Sequence, residues 1–272
     1  MKKRLSFLLA AVLVFLLVLT SCGGDPYKGN YEEVSEEQAK QYLDRFHDLE
    51  EVLESKNLKI VFSGVMTEAE TGDKIDISGS SITDCSDPDN MKVYEEVSFK
   101  RTTEDGTYKL SVKAYTDSAS GKTLAEVEAS APGLDDFSFK GQLKIDGLYA
   151  FRTLTESVST EDFLFELEEV LEERIDGEEG VKVYADGDKI KLIYESTEDG
   201  DEAKAEVYAV ISEENFQCKF ISSGTIEGAT FTEDAEIKLV SEKVKIPTSG
   251  YETEMSTLEF MNVLLSYMGD DE

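Results

Sequence analysis

The sequence predicts an α+β fold built on one large antiparallel β-sheet, and three patterns support this prediction. Apolar and polar residues alternate with a period of two along many segments, such as residues 108–114. Asp-Gly and Ser-Gly pairs separate these segments, for example at residues 105–106 and 186–187, and tight hairpin turns favour such pairs because glycine accepts a positive φ. Three segments have helical spacing, and they do not alternate with strands in the order of a parallel sheet. We therefore expect about eleven to thirteen strands in consecutive antiparallel hairpins, with helices covering the apolar side.

The first element is an N-terminal secretory signal. Basic residues 2–4 precede an apolar run over residues 5–19, which is too short for a comfortable membrane-spanning helix. The run ends in Leu19-Thr20-Ser21-Cys22, which resembles the lipobox of bacterial lipoproteins. The resemblance implies a signal peptide over residues 1–21, diacylation of Cys22 and a lipid-anchored protein on the extracytoplasmic face of a bacterial cell membrane. The alternative is an ordinary secreted protein cleaved near Ser21.

The mature chain divides into a short N-terminal segment and a folded body. Residues 22–34 are rich in glycine, proline, asparagine and charge, which predicts a lipidated N-terminus followed by a flexible tether. Residues 35–272 are interpreted as one domain. The order helix, strands, helix, strands also permits an internal duplication with halves 35–150 and 160–247, although the two sequences are dissimilar.

Three amphipathic helices are predicted from apolar residues at helical spacing. Their start and stop signals are, in chain order, Ser35 with Gln38 and Asn57, Ser159 or Thr160 with Asp176-Gly177, and Ser256 with Glu259. The first and third pairs have the spacing of a capping box. The third helix is apolar nearly all round, which predicts burial on more than one side.

This order of elements resembles the lipoprotein-carrier superfamily of LolA-, LppX- and LprG-like half-barrels. In both, an N-terminal helix precedes a long meander, a helix is inserted midway, and further meander follows. Two short segments are similar to that group, Tyr184-Ala185-Asp186-Gly187-Asp188-Lys189-Ile190-Lys191-Leu192-Ile193-Tyr194 and Val244-Lys245-Ile246-Pro247. The resemblance implies a curved, half-barrel-like sheet whose concave apolar face, covered by helices, could hold acyl chains.

The charge of the chain excludes a class of partner. There are 27 Lys+Arg and 59 Asp+Glu residues, a formal net charge of −32, and loss of the three basic residues 2–4 would make it −35. Nucleic-acid binding is excluded because phosphate backbones are bound through Lys and Arg. We interpret the negative charge as a feature of solubility that is spread over solvated strand faces and hairpin tips.

Catalytic and metal-binding motifs are missing from the sequence. His47 is the only histidine, and its place beside the exposed stripe of the first predicted helix favours a surface residue over a member of a triad. A zinc site cannot be assembled from one histidine and unpaired cysteines. The acidic run at residues 84–90 lacks the ligand spacing of a calcium loop, since Pro88 and Met91 interrupt it, and it predicts a solvated turn. No cofactor and no enzymatic activity are expected.

Cys85 and Cys218 lie in an exported chain, where a disulfide is permitted. Cys218 alternates with Phe216 and Phe220 and is predicted to be a small core residue, whereas Cys85 is predicted to lie in a loop. The sequence leaves open whether the two form a bridge.

The function predicted is that of a membrane-anchored envelope lipoprotein that is not an enzyme. It would bind a lipid or other apolar ligand between sheet and helices, or an envelope protein partner. The alternative is a structural or protein-interaction lipoprotein without a ligand cavity.

Overall fold

The computed structural model describes residues 26–35, 37–38, 41–42, 56–87, 90–144, 181–198, 201–212, 215–226 and 228–268. These residues form one open sheet of 13 strands and one bounded helix, α1 (Thr257–Met268). The strands are β1 (Glu32–Glu33), β2 (Asn57–Glu68), β3 (Lys74–Asp84), β4 (Lys92–Thr103), β5 (Gly106–Asp117), β6 (Lys122–Ser130), β7 (Phe137–Lys144), β8 (Val181–Asp186), β9 (Lys189–Glu198), β10 (Asp201–Ser212), β11 (Asn215–Ile226), β12 (Ala229–Val240) and β13 (Thr253–Ser256).

Two antiparallel meanders make up most of the sheet. One runs from β2 to β7 and the other from β8 to β12, and β12 pairs with β2 to join them. The spatial order is β1-β8-β9-β10-β11-β12-β2-β3-β4-β5-β6-β7-β13. The predicted large antiparallel sheet is thus confirmed, with 13 strands in the described chain.

The two outer strands come from opposite ends of the described chain. β1 pairs with β8, and β13 pairs with β7. The β13–β7 pairing is parallel, which the meander pattern does not predict. Residues 241–252 carry the chain from β12, in the middle of the sheet, to the far edge, so β13 arrives by a long crossover and not by a hairpin.

The predicted turns form as expected at several hairpins. Gly72, Gly121 and Gly187 have φ values of 75°, 61° and 64° in the tight connections after β2, β5 and β8. These values lie in the left-handed region that glycine enters without steric cost.

The strand register divides the side chains between an apolar face and a polar face. Ala209, Cys218, Ile237 and Ile60 stand opposite one another on four neighbouring strands, and all are buried on the apolar face. Their sequence neighbours point to the polar face. A shift of one residue would move the whole apolar set of a strand to the other side. An exception is Ile82 of β3, which is buried on the polar face opposite Lys59 and Tyr94.

Two buried clusters lie on the apolar face, one in each half of the sheet. The first cluster consists of Val34, Leu58, Ile60, Val183, Ile190, Leu192, Ala209, Ile211, Phe216, Cys218, Ala235 and Ile237. The second cluster consists of Phe99, Leu110, Val112, Ala114, Ala125, Val127, Ala129, Phe139, Leu143, Met255, Phe260 and Leu264.

Helix α1 starts where the sequence predicts and packs on the second cluster. The Ser256 backbone N–H donates to Glu259 Oε2 at 2.8 Å, and the Glu259 N–H lies 3.3 Å from Ser256 Oγ, which completes the capping box. The expected burial on several sides is wrong. Phe260 and Leu264 are buried, whereas Leu258, Met261 and Leu265 form an exposed apolar stripe. The helix lies on the sheet as an outer layer, so one side of it faces solvent.

The capping box predicted at Ser35 also forms. Its backbone N–H donates to Gln38 Oε1 at 2.9 Å, and the Gln38 N–H lies 3.4 Å from Ser35 Oγ. Residues 37–38 and 41–42 are helical. Several other predictions lie outside the described residues, namely the signal over residues 1–21, Cys22, His47 and the helix expected at residues 159–177.

Two irregular segments cross the polar face of the sheet. The N-terminal strap, residues 26–31, packs Tyr27 at 6% exposure against Tyr208 and Glu236. The C-terminal strap, residues 241–252, joins β12 to β13 and places Tyr251 against Tyr115. The described part of the segment expected to be a flexible tether thus contacts the sheet at Tyr27 and Val34 and forms β1 between them.

Within the described residues, no helix is both long and apolar enough to cross a membrane.

Candidate functional site

The middle of the apolar face is the candidate site. At one end of the sheet α1 packs on the second cluster, and at the other end Val34 and Tyr42 pack on the first. Between these ends Phe62 and Ile77 are buried, whereas Val97, Phe220 and Phe231 are half-buried. The centre of this face is therefore partly accessible, at its half-buried side chains.

A buried polar pair lies in this central region. Glu233 of β12 and Ser222 of β11 stand opposite each other, and Ser222 Oγ donates to Glu233 Oε2 at 2.5 Å. The two residues are only 4% and 6% exposed. Burial raises the pKa of Glu233 to about 7, and the hydrogen bond from Ser222 opposes this only in part. The carboxyl group thus exists in both protonated and ionised forms near neutral pH.

The residues next to the polar pair on the apolar face are small. Gly64 stands opposite Glu233, and Ala205 stands opposite Ser222. Gly224 and Ala203 face each other two residues further along β11 and β10. A carboxyl and a hydroxyl group surrounded by small residues can form hydrogen bonds with the polar end of a ligand whose remainder is apolar.

Aromatic rings lie next to glycines of the same strand or of a neighbouring strand on the apolar face. A Cβ built on Gly79 would come within 2.4 Å of Phe62 Cζ, and one on Gly141 within 2.7 Å of Phe139 Cζ. Phe231 covers Gly224 in the same way. The rings cover the glycine backbone and shield it from water.

A second acidic residue, Glu95 of β4, is also buried on the apolar face. It is 9% exposed and stands opposite Ser81 and Ala114. Neither Glu95 nor Glu233 was expected from the sequence as a site residue, since both lie in acidic runs. The alternation contains the signal, because Glu95 lies between Val93 and Val97 at a position where an apolar residue belongs.

The two described cysteines are free and buried, so no disulfide joins them. Cys218 belongs to the first cluster, as predicted, and burial raises the pKa of its thiol well above the usual value. Cys85 follows β3, and burial together with the charge of Asp84 raises the pKa of its thiol. Neither thiol has the exposed, electropositive surroundings of a reactive cysteine.

Asp84, the last residue of β3, holds the C-terminal strap. Asp84 is 5% exposed, and its carboxylate accepts the backbone N–H groups of Ser86 and Val244, both at 3.1 Å. Burial alone would raise the pKa of Asp84, but these hydrogen bonds and the charge of Lys243 lower it overall. The predicted solvated turn is therefore wrong for Asp84, because its carboxylate is needed to satisfy a strap N–H. Within the described ranges, no three His, Cys, Asp or Glu residues are grouped so that they could hold a metal ion.

A tyrosine–carboxylate–lysine cluster lies beneath each strap. Under the N-terminal strap, Tyr208 donates to Glu206 at 2.5 Å, and Lys191 lies 3.2 Å from the same carboxylate. Burial would raise the pKa of Glu206, but hydrogen bonds from Tyr208, Lys204 and Lys191 lower it to about 2.

The cluster under the C-terminal strap has the same composition. Tyr251 and Lys140 both donate to Glu126 Oε1 at 2.6 Å, and the Lys140 ammonium lies 4.7 Å from the Tyr251 ring centre. These hydrogen bonds lower the pKa of Glu126. Each cluster contacts a strap and holds it against the sheet, so we assign both clusters a structural role.

The polar face has nearly equal numbers of basic and acidic side chains in the described strands. Its 15 lysines are Lys59, Lys74, Lys92, Lys100, Lys109, Lys113, Lys122, Lys140, Lys144, Lys182, Lys189, Lys191, Lys204, Lys219 and Lys238. Its 14 acidic residues are Glu33, Asp76, Asp84, Glu96, Asp117, Glu126, Glu128, Asp186, Glu195, Glu202, Glu206, Asp234, Glu236 and Glu254. The described strands therefore give this face a charge of 15 minus 14, or +1, against −32 for the whole chain.

Neither a comparison with models of known protein families nor one with curated protein sequences finds a match to this chain.

Proposed function

We propose that this protein is a membrane-anchored envelope lipoprotein, not an enzyme, that binds a lipid or other amphipathic ligand on the apolar face of its sheet. The Glu233–Ser222 pair is the observation that carries the proposal. A carboxyl group whose pKa is raised to about 7 by burial costs folding free energy, and groups with such perturbed pKa values cluster at functional sites. The pair would bind the polar end of the ligand, and the half-buried apolar side chains around it would contact the acyl part.

The proposal includes a curved sheet of the half-barrel type. Sheets of more than about ten strands rarely stay flat, and this sheet has 13. Curvature toward the apolar face would bring the two clusters toward each other across the Glu233 region. The proposed ligand would then lie in the concavity, as the resemblance to the half-barrel carriers implies.

The proposed anchor is a diacylated Cys22. Two acyl chains together give stable membrane attachment, whereas a single chain gives only weak and reversible attachment. Replacement of Cys22 by Ala should move the protein from the membrane fraction to the soluble fraction of cells. Continued sedimentation with membranes would contradict lipidation as the means of attachment.

A second function is favoured by helix α1. Its exposed stripe of Leu258, Met261 and Leu265 is apolar, and scattered single apolar residues need no explanation but a continuous stripe does. An envelope protein partner that contacts this stripe would make the molecule an interaction lipoprotein. In that case the sheet would be a packed scaffold without ligand.

A pair of substitutions in one strand tests the ligand proposal. Ala205 faces the apolar side beside Ser222, and Lys204 points to the polar side with half of its side chain exposed. Binding of a fluorescent fatty acid to the purified body is measured for Ala205→Phe and, as the matched control, Lys204→Phe. The ring at position 205 should occupy the ligand's place and weaken binding at least tenfold, or about 1.4 kcal/mol, while Lys204→Phe leaves it nearly unchanged.

Equal affinities for the two variants and the wild type would show that the fatty acid binds elsewhere. Circular dichroism and thermal melts of both variants check that the sheet remains folded.

A further inference from the structure

The N-terminal strap places the start of the described chain on the polar face. Tyr27 packs with its ring centre 6.2 Å from that of Tyr208, and its hydroxyl donates to Glu236 at 3.3 Å. Four residues, 23–26, separate Tyr27 from Cys22. Five residue steps span at most about 18 Å of extended chain. Acyl chains on Cys22 would therefore hold Tyr27, which packs on the polar face beside Tyr208, within about 18 Å of the bilayer surface.

The charge of the polar face suits this position. Its described strands carry 15 lysines and 14 acidic residues, whereas the chain as a whole has a net charge of −32. Anionic headgroups repel the acidic remainder of the molecule but not a face whose charges nearly cancel. A tether of about 18 Å allows several orientations. The one with the polar face toward the lipid meets the least repulsion from anionic headgroups.

We infer that the polar face of the sheet lies against the lipid bilayer that holds the acyl chains of Cys22, a conclusion that rests on the proposed lipid anchor. The apolar face and helix α1 then point away from the membrane. A ligand or partner would reach the apolar face from the aqueous side, and the lipid anchor would not compete with it.

Energy transfer from single labels to the membrane tests this orientation. Cysteines are introduced at exposed positions on the polar face (Ser98→Cys), at a hairpin tip at the strand ends (Ser120→Cys) and on the outer side of α1 (Asn262→Cys). The native Cys85 and Cys218 are buried and remain unlabelled, and Cys22 carries the lipid. The full-length lipidated protein is placed in vesicles of phosphatidylcholine and phosphatidylglycerol with an acceptor on the headgroups.

Transfer from the labels at positions 98 and 120 should be at least twice that from the label at position 262. Equal or higher transfer from position 262 would overturn the orientation. Strong transfer from position 120 alone would also overturn it, because it would indicate that the strand ends face the lipid. Flotation of the same vesicles measures the anchor separately. Protein that floats without the expected order of transfer contradicts the orientation only, whereas protein that does not float removes the anchor and this inference with it.

A charge reversal examines the electrostatic part of the inference. Lys100 and Lys109 are exposed on the polar face and stand opposite each other on β4 and β5. The double variant Lys100→Glu/Lys109→Glu should lower transfer from position 98 in anionic vesicles and leave it unchanged in pure phosphatidylcholine. A fall of the same size in both kinds of vesicle would contradict the role of charge.

Discussion

Glu233 makes the stability of the sheet depend on pH in an unusual direction. Its pKa in the folded state is about 7, against 4.5 in the unfolded chain. The folded state thus binds more protons than the unfolded state between about pH 4.5 and 7, so the free energy of unfolding falls as the pH rises through this range. Carboxyl groups held by ion pairs and hydrogen bonds, such as Glu206 with its pKa of about 2, have the opposite effect, because their contribution to stability is lost in acid.

The variant Glu233→Gln should remove this pH dependence. An amide keeps a hydrogen-bond partner for Ser222 but does not ionise, so the variant should gain up to about 3 kcal/mol over the wild type at pH 8 and almost nothing at pH 4. Urea unfolding curves at both pH values measure the difference. A gain of the same size at both pH values would show that the carboxyl group is not the source.

Residue-scale chemistry was only partly predictable from the sequence. The core position of Cys218 follows from its alternation with Phe216 and Phe220, and the structure confirms it. The role of Asp84 could not be predicted, because its partner Val244 is 160 residues away and only the fold brings the two together. The Glu233–Ser222 pair depends in the same way on the register between β11 and β12.

Helix α1 has neighbouring leucines with opposite environments. Leu264 is 6% exposed and belongs to the second cluster, while Leu265 is 51% exposed. Leu264→Ala should therefore cost about 2–5 kcal/mol of folding free energy. Leu265→Ala, the matched control, should change stability by about 0.5 kcal/mol or less. Chemical denaturation of both variants gives the comparison, and similar losses for the two would mean that α1 does not pack as described.

Local signals predicted where elements begin, and long-range packing decided the rest. The capping boxes at Ser35 and Ser256 and the glycine turns depend on neighbours within a few residues, so the sequence alone reveals them. The parallel pairing of β13 with β7 and the one-sided burial of α1 depend on where the C-terminal strap delivers the chain. No pattern within residues 253–268 contains that information.

At each edge of the sheet, a short strand from one end of the described chain pairs with the outermost strand of a meander. The N-terminal segment supplies β1 beside β8, and the C-terminal segment supplies β13 beside β7. A capping box lies at the end of each outer strand: Ser35 is two residues after β1, and Ser256 is the last residue of β13. Capped edges protect an open sheet from pairing with other chains.

The distribution of charge is also a property of the whole molecule. A count over the sequence shows an acidic protein, but cross-strand matching of lysines with acidic residues leaves the polar face nearly neutral. The register was needed to see this, since alternating Lys and Glu residues in a strand do not reveal which face they share with their neighbours. The lipid anchor proposed at Cys22 and the ligand proposed on the apolar face place two different lipid contacts on opposite sides of one sheet.

Native mass spectrometry of residues 23–272, purified from a bacterial host without detergent, tests the ligand proposal most directly. We expect additional peaks with the masses of co-purified lipids, and we expect Ala205→Phe to lose these peaks while Lys204→Phe keeps them. A wild-type body that carries no lipid as purified, and takes up none from a membrane extract, would contradict the proposal.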